Sequence, residues 1–228
     1  MTTIADKLHK VRERIAAASA QAGRPADSIG LLAVSKTYGP EAVREAHAAG
    51  QQAFGENYIQ EGVEKIAALR DLPLQWHCIG PIQSNKTRLV AENFDWVHTI
   101  DREKTAERLS AQRPDGMAPL QVCIQVNVDG GPTKSGVAPD DALGLARAVA
   151  ALPGLRLRGI MCIPEPAPDF ASARALHERA RLVFEELQKA GLPLDTLSIG
   201  MSADLEAAIA AGSTMVRVGT AIFGKREP

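Results

Sequence analysis

The sequence predicts an α/β fold, a single closed (β/α)8 barrel of the TIM type. Eight short runs rich in valine, isoleucine and leucine alternate with segments whose apolar residues recur at helical spacing. The connections are short, and the runs are largely apolar, as in parallel strands buried on both faces. The 228 residues are slightly few for this fold but within its range. An open sheet of eight strands is the alternative, which the absence of a GxGxxG turn after the first strand disfavours.

The predicted strands are bounded by glycine, proline or polar residues, and the fifth is the richest in valine and isoleucine. In chain order they comprise residues 30–37, 52–55, 74–80, 94–100, 120–128, 155–162, 194–199 and 214–218. A proline-rich stretch at 164–168 joins the sixth strand to a helix, so it predicts a loop and not a domain boundary. We therefore expect one domain, residues 1–228.

Capping residues and periodic apolar positions mark the helices between these strands. Thr3 can cap the first helix, which extends up to Gly23. Asn57 and Asp101 can cap later helices, and Ser84 can begin another. In chain order the predicted helices comprise residues 4–23, 40–50, 58–69, 84–90, 101–112, 140–152, 170–190 and 203–211, with one final turn at 221–223.

Composition excludes several classes of function. Charged residues make up 23% of the chain and the formal net charge is -1, so no overall field attracts nucleic acid or an acidic membrane. Cys78, Cys123 and Cys162 are odd in number and lack CxxC spacing, which predicts reduced core thiols. The N-terminus has no apolar signal core, and no apolar run reaches membrane-spanning length. We expect a soluble cytoplasmic protein.

The first strand ends abruptly on Lys36. The carboxyl ends of all barrel strands meet at one mouth, where such folds build their sites. A neutral ε-amine shielded from water attacks aldehydes, so Lys36 is a candidate for forming a Schiff base. The alternative is that its stem packs on the barrel rim while the ammonium group stays in water. Other polar residues expected at this mouth are Ser35, Glu56, Asn57, His77, His98, Thr99 and Asn127.

The loops after the seventh and eighth strands have the parts of a phosphate site. In barrels these loops and a short helix often bind phosphate through backbone N–H groups at a positive helix end. Gly200 and Gly219 allow close approach of the backbone, and Ser202 and Thr220 add hydroxyl donors. For one loop alone, a helix cap at Ser202 and simple glycine turns explain the residues equally well. Two such loops on adjacent strands favour phosphate binding.

The predicted mouth combines a lysine that can form an imine with a site for phosphate. Together they suit an aldehyde that carries a phosphate. Pyridoxal 5'-phosphate (PLP) is the common biological example. Arg217, just before the phosphate loop, could donate to the pyridine nitrogen of PLP. An arginine stays protonated and would leave that nitrogen largely unprotonated, so the ring would be a weaker electron sink. The alternative for Arg217 is an ion pair inside the barrel with an acid such as Glu56.

Matching motifs run through the whole chain, and the C-terminal ones are the most specific. They are LAVSKT at 32–37, FGENY at 54–58, WH at 76–77, IG at 79–80, QSNK at 83–86, KSG at 134–136, LSIGMS at 197–202, the stretch 207–212, and VRVGTAIFG at 216–224. On these residues the chain resembles the pyridoxal-phosphate homeostasis protein family, which shares its barrel with the N-terminal domain of alanine racemase.

The resemblance implies a set of cofactor-binding residues, namely Lys36, Asn57, Met201, Ser202, Arg217, Gly219 and Thr220. Lys36 would carry PLP as a Schiff base, and Arg217 would approach the ring nitrogen. Ser202, Gly219 and Thr220 would hold the phosphate, with Asn57 and Met201 as wall residues. The resemblance also implies a function: a PLP reservoir or carrier that affects vitamin B6 and amino-acid balance, with no established reaction. We accordingly expect a monomer that is not an enzyme, with apo forms of PLP-dependent enzymes as partners.

One position departs from the family pattern. In the family that this chain resembles, many bacterial members have a second lysine two residues after the PLP lysine. This chain has Tyr38 at that position. If a second lysine helps to pass PLP to other proteins, Lys134 is the nearest candidate by loop position. The alternative for Lys134 is a solvated loop charge.

Two enzyme functions remain as alternatives. A racemase of the same barrel type takes its second base, a tyrosine, from a β-rich domain of a partner subunit, whereas Tyr38 and Tyr58 both lie in the first two β-α units. A Schiff-base aldolase would use Lys36 on a sugar phosphate without PLP. Metal-dependent hydrolysis is disfavoured because the five histidines have no metal-binding spacing, and His77 and His98 are expected to be hydrogen-bonded barrel residues.

Overall fold

The computed structural model describes residues 2–131 and 135–224. Within these ranges the strands form a closed parallel barrel in chain order, which confirms the predicted fold and rules out the open sheet. The strands are β1 (Gly30–Val34), β2 (Ala53–Glu56), β3 (Gln75–Cys78), β4 (Trp96–Ile100), β5 (Leu120–Gln125), β6 (Leu155–Met161), β7 (Thr196–Ser198) and β8 (Met215–Val218). The register of β1 against β8 pairs Leu32 with Arg217, which closes the barrel.

Helices cover the outside of the barrel. They are α1 (Ile4–Gln21), α2 (Pro40–Ala48), α3 (Ile59–Ala68), α4 (Thr87–Asn93), α5 (Glu103–Gln112), α6 (Ala142–Ala150), α7 (Phe170–Lys189), α8 (Leu205–Ala210) and the short α9 (Thr220–Phe223). Thr3 caps α1 as predicted, because its hydroxyl accepts from the Asp6 N–H while Asp6 accepts from the Thr3 N–H. Among the residues described, no helix combines the length and apolar character needed to cross a membrane.

Two predicted helix caps are wrong. Helix α3 begins after Tyr58 and α5 after Arg102, and neither start has a side-chain capping bond. Asn57 stays in the loop because its backbone packs against Gly80, where a Cβ would collide with the Asn57 carbonyl. Asp101 instead faces the Arg102 guanidinium at 3.4 Å. The segment predicted to open at Ser84 begins as a 3-10 turn, Ser84–Lys86, and becomes α-helical only at Thr87.

Alternation along each strand decides which side chains enter the barrel. Leu32 and Val34 form an apolar cluster with Ile79 inside it, while Ala33 joins the main core between strands and helices. Gly55 faces inward, since a Cβ there would lie 3.1 Å from the Leu32 side chain. The same alternation turns Ala33 and Phe54, the neighbours of these positions, towards the surrounding helices.

The main core lies between the barrel and its helices. It includes large side chains with no exposed surface, among them Leu8, Phe54, Phe94, Leu120 and Ile160. The three cysteines, Cys78, Cys123 and Cys162, are buried free thiols, as predicted. Burial raises the pKa of Cys78 and of Cys123 to about 12, so both stay protonated at neutral pH. The inside of the barrel, by contrast, holds a row of polar groups that leads to the site described next.

Candidate cofactor-binding site

A cavity of about 440 Å³ opens at the carboxyl ends of the strands, within the usual size range of small-molecule sites. All seven predicted cofactor-binding residues line it: Lys36, Asn57, Met201, Ser202, Arg217, Gly219 and Thr220. The wall also includes Val34, Ile79 and Ile163, which give it an apolar part. Residues from the first and last strands, far apart in sequence, thus share one concave surface with two cationic side chains.

Lys36 lies two residues beyond the end of β1, in a turn and not in the strand itself. The strand alternation continues into this turn, so Val34 and Lys36 point to the cavity and Ser35 points outward to Glu56. The turn needs an uncommon backbone conformation, because Thr37 has a φ of 69°. Lys36 is half-buried, which agrees with a side chain that faces a sheltered cavity more than open water.

A buried cation holds this turn in place from behind. The ammonium group of Lys65, 4% exposed, donates to the Ser35 carbonyl at 2.7 Å, to Glu56 Oε1 at 2.8 Å and to Glu61 Oε1 at 2.7 Å. Glu56 Oε1 also accepts from the Ser35 hydroxyl at 2.6 Å, and Glu61 Oε1 accepts from the Thr37 N–H at 2.5 Å. The residues on both sides of Lys36 are therefore fixed by one network centred on Lys65.

Ser35 and Glu56, expected at the barrel mouth, lie instead between β1, β2 and α3. Glu56 has no exposed surface, and its Oε2 has no hydrogen-bond partner among the residues described. Burial raises the pKa of Glu56, while the hydrogen bonds from Lys65 and Ser35 oppose that rise. The alternative of an ion pair between Arg217 and Glu56 is wrong, because the two side chains lie on opposite sides of the strands.

Arg217 enters the barrel from β8 and is 4% exposed. Its Nη1 donates to the Ser198 carbonyl at 2.6 Å and to the Ser198 hydroxyl at 2.7 Å, and its Nη2 donates to the Cys162 carbonyl at 3.0 Å. A guanidinium has five N–H donors, and these three bonds use three of them. Burial lowers the pKa of Arg217 to about 10, which leaves the group charged at neutral pH. It can therefore offer a ligand in the cavity further charged donors.

The loop after β7 is held by side chains that do not face a ligand. Gly200 has a φ of 96°, and a Cβ there would lie 2.5 Å from the Ala208 side chain, so only glycine fits. The Met201 N–H donates to Asp204 at 2.7 Å, and the Ser202 carbonyl accepts from Arg14 at 3.1 Å. The sequence pattern did not reveal Asp204 and Arg14, because they act through the backbone of the loop.

Ser202 does not cap the helix that follows it, which overturns that alternative. The residue before α8 is Asp204, and the Ser202 hydroxyl is instead 3.5 Å from the N–H of Ala221 in α9. The loops after β7 and β8 therefore meet at the first turn of α9, which Gly219 and Thr220 begin. The first N–H groups of a helix lack intrahelical acceptors, so this corner can bind an anion through backbone and hydroxyl donors.

Asn57 and Met201 form parts of the cavity wall. The Asn57 Oδ1 atom is buried and has no hydrogen-bond partner within residues 2–131 and 135–224. A buried acceptor without a donor is costly, and a ligand in the cavity could supply that donor. Met201 is 39% exposed and lies at the rim. The cavity thus contains the amine of Lys36, the guanidinium of Arg217, the Asn57 acceptor and a corner that can bind an anion. Together these groups fit a phosphorylated aromatic aldehyde such as PLP.

Tyr38, at the position where a second lysine was considered, also lines the cavity. Its hydroxyl donates to the Gly224 carbonyl at 3.0 Å, and its ring stacks on Phe223 with centroids 5.2 Å apart. Tyr38 therefore fastens the end of α9 over the cavity. Lys134, the other candidate for a second lysine, lies outside the described residues.

Comparison with known proteins agrees with this geometry. The family described as the N-terminal domain of alanine racemase matches residues 7–227. The chain is 59% identical to a pyridoxal phosphate homeostasis protein of Pseudomonas aeruginosa over 227 residues, which cover 100% of this chain and 97% of that protein. It is 52% identical to the protein of the same name from Escherichia coli K12 over 230 residues, which cover 100% of this chain and 98% of the relative.

Solved structures also show similarity to this chain along nearly its whole length. The structure of PipY from Synechococcus elongatus with PLP bound superposes with a TM-score of 0.85 at 39% identity, and the match covers 97% of this chain and all of PipY. An alanine racemase from Clostridium difficile superposes with a TM-score of 0.74 at 14% identity, which indicates a shared fold alone. This match covers 98% of the present chain and 58% of the racemase.

Proposed function

The chain belongs to the pyridoxal phosphate homeostasis protein family, within the larger family of alanine racemase N-terminal domains, and on that premise we propose that it binds PLP and serves as a cellular reservoir or carrier of it. The observation that carries the proposal is the convergence of all seven predicted residues on one cavity. The PLP-bound structure of PipY, which matches this chain almost completely, supports the same ligand.

Lys36 is the proposed anchor. Its ε-amine, in the neutral form, adds to the aldehyde carbon of PLP, and loss of water leaves a C=N bond to the lysine nitrogen. The reaction needs no further reactant and is reversible by water, so the bond can both retain the cofactor and release it. The network around Lys65 contributes by holding Ser35 and Thr37, so that Lys36 is presented to the cavity in one orientation.

Arg217 is the proposed partner of the pyridine nitrogen. Because the guanidinium remains charged at neutral pH, it donates a hydrogen bond and does not give up a proton to the ring. When bound, PLP supplies an electron sink only to the extent that its ring nitrogen is protonated. An arginine at this place therefore suits a protein that holds PLP without driving carbanion chemistry.

The two loops and the start of α9 are the proposed phosphate site. Ser202 and Thr220 would donate through their hydroxyl groups, together with backbone N–H groups at the start of α9. A Cβ at Gly219 would lie 3.2 Å from the Val34 carbonyl, so a glycine lets this turn pack closely on β1. Asn57 and Met201 are proposed wall residues. In this assignment the phosphate, the ring nitrogen and the aldehyde are each recognised by a different part of the cavity.

This phosphate assignment predicts a preference for PLP over pyridoxal, which has the same ring and aldehyde but no phosphate. We expect the wild-type protein to bind PLP at least tenfold more tightly, because a charged hydrogen bond contributes about 1.5–3 kcal/mol. Thr220→Val should weaken PLP binding and leave pyridoxal binding unchanged. Titration of both ligands, followed by visible absorbance and tryptophan fluorescence, measures these affinities. Equal affinity for the two ligands would contradict the assignment.

The carrier role predicts that loaded protein gives its PLP to other proteins. We expect that protein freed of unbound PLP by gel filtration restores activity to an apo PLP-dependent enzyme, with one active site formed per PLP released. The activity of the apo-enzyme, together with loss of the visible band of the donor at equal concentrations, measures the transfer. Retention of PLP by the donor in the presence of excess apo-enzyme would contradict the role.

A further inference from the structure

Five polar side chains form one continuous chain through the interior of the barrel below the cavity. Arg217 Nη1 is 2.7 Å from Ser198 Oγ, which is 2.9 Å from His98 Nδ1. His98 Nε2 is 2.8 Å from His77 Nδ1, and His77 Nε2 is 3.0 Å from Gln75 Oε1. These contacts confirm that His77 and His98 are hydrogen-bonded barrel residues, and they connect both to the arginine of the cofactor site.

The chemistry of the two ends gives this chain a direction. Arg217 can only donate, so the Ser198 oxygen accepts and its hydroxyl proton is available for His98 Nδ1. His98 then carries its proton on Nε2 and donates to His77 Nδ1, and His77 carries its proton on Nε2 and donates to the Gln75 carbonyl oxygen. The reverse order would leave the Ser198 proton without an acceptor in the chain.

The surroundings maintain the neutral form of both rings. Neither histidine has exposed surface, and His77 stacks on Trp96 with ring centroids 5.1 Å apart and planes within 7°. Burial lowers the pKa of His77 to about 3, and burial together with the nearby His77 and Arg217 lowers that of His98. In this state each ring has one donor and one acceptor, which is what the directional chain requires.

We propose that Ser198 and His98 are positioning residues for Arg217, with His77 setting the tautomer of His98. Together they orient the Ser198 hydroxyl so that the guanidinium turns its remaining donors to the PLP ring. The inference rests on the proposed function, because it concerns the same site. If the Ser198 proton lost its acceptor, the hydroxyl would rotate and its lone pairs would no longer face Arg217 Nη1. The guanidinium would then lose one of its two anchors on Ser198.

Two substitutions of the same residue separate this role from a general packing role. His98→Asn places an amide oxygen near the position of Nδ1, so it preserves the acceptor for Ser198 and loses the bond to His77. His98→Gln reaches the position of Nε2, so it preserves the bond to His77 and loses the acceptor for Ser198. Both variants remove the ring from the same buried place, so a role in packing alone would affect them alike.

We expect His98→Asn to bind PLP within about twofold of wild type and His98→Gln to bind about tenfold more weakly, the order of one hydrogen bond. Ser198→Ala should resemble His98→Gln. Equal affinities of the two His98 variants would overturn the inference, whereas failure of the wild-type protein to bind PLP would overturn the proposed function instead.

A second measurement does not depend on the variants. Nitrogen-15 NMR of the wild-type protein without ligand should show His77 and His98 both neutral, with the proton on Nε2 in each. A charged ring, or a proton on Nδ1 in either residue, would overturn the directional chain even if every variant failed to fold.

Discussion

Replacement of Lys65 by methionine should lower the free energy of unfolding by about 3–5 kcal/mol at pH 7, the range for removing one partner of a buried ion pair. Methionine fills much of the space of the lysine stem but leaves Glu56, which has no exposed surface, without its cation. The Ser35 carbonyl and Glu61 lose the same donor. Part of the cost is relieved when Glu56 takes up a proton, so the difference from wild type should shrink at lower pH.

Guanidinium unfolding monitored by tryptophan fluorescence measures this effect. Lys104→Met is a matched control, because Lys104 is an exposed lysine on α5, and it should change the stability by less than about 0.5 kcal/mol. The double variant Lys65→Met with Glu56→Gln should recover much of the loss, since no buried charge remains. Similar stabilities of the Lys65 and Lys104 variants would show that the network does not hold the Lys36 turn.

Acidification from pH 7 to pH 5 should lower the stability by about 2 kcal/mol through His77, and the lowered pKa of His98 should add to this loss. The folded-state pKa of His77 is about 3 and that of His98 is well below 6.5, so the unfolded chain binds two protons that the native protein does not. The unfolding free energy therefore falls as pH falls below 6.5, by about 1.4 kcal/mol per pH unit for each histidine. Their stabilising contribution is fully present above pH 6.5.

The double variant His77→Gln with His98→Asn isolates this contribution, because every carboxylate is retained and its effect cancels in the difference. Urea unfolding of both proteins at several pH values gives the two slopes. The variant should be less stable at pH 7, and between pH 7 and pH 5 it should lose at least about 2 kcal/mol less stability than wild type. Parallel curves would mean that the histidines are not buried in the neutral form.

The sequence was sufficient to predict the barrel and a set of residues that the structure places around one cavity. The carboxyl ends of all parallel strands in a barrel lie at one mouth. Residues just after the strands, such as Lys36 after β1 and Gly219 and Thr220 after β8, could therefore be placed together without a structure. The prediction was less exact for Ser35 and Glu56. Ser35 follows β1 and Glu56 is the last residue of β2, but alternation turns both outward to α3. The strand boundary must be known to within one residue to see this.

The supporting residues could not be predicted for a different reason. Lys65 lies in the last turn of α3 and has the pattern of an ordinary surface lysine, and only the packing of α3 on β2 brings it to Glu56. The chain from Gln75 to Arg217 depends on how β3, β4, β7 and β8 are staggered around the barrel. That stagger is a property of the closed sheet and leaves no local signal in the sequence.

The most direct test of the central claim is to find where PLP is attached. Borohydride converts the C=N bond of a PLP-lysine imine to a stable amine, and peptide mass spectrometry then identifies the modified lysine. We expect the added mass on the peptide that contains Lys36, with loss of the label and of the visible band in Lys36→Ala. Lys10→Ala, an exposed lysine of α1, should label like wild type. Labelling at another lysine, or an unchanged visible band in Lys36→Ala, would contradict the account.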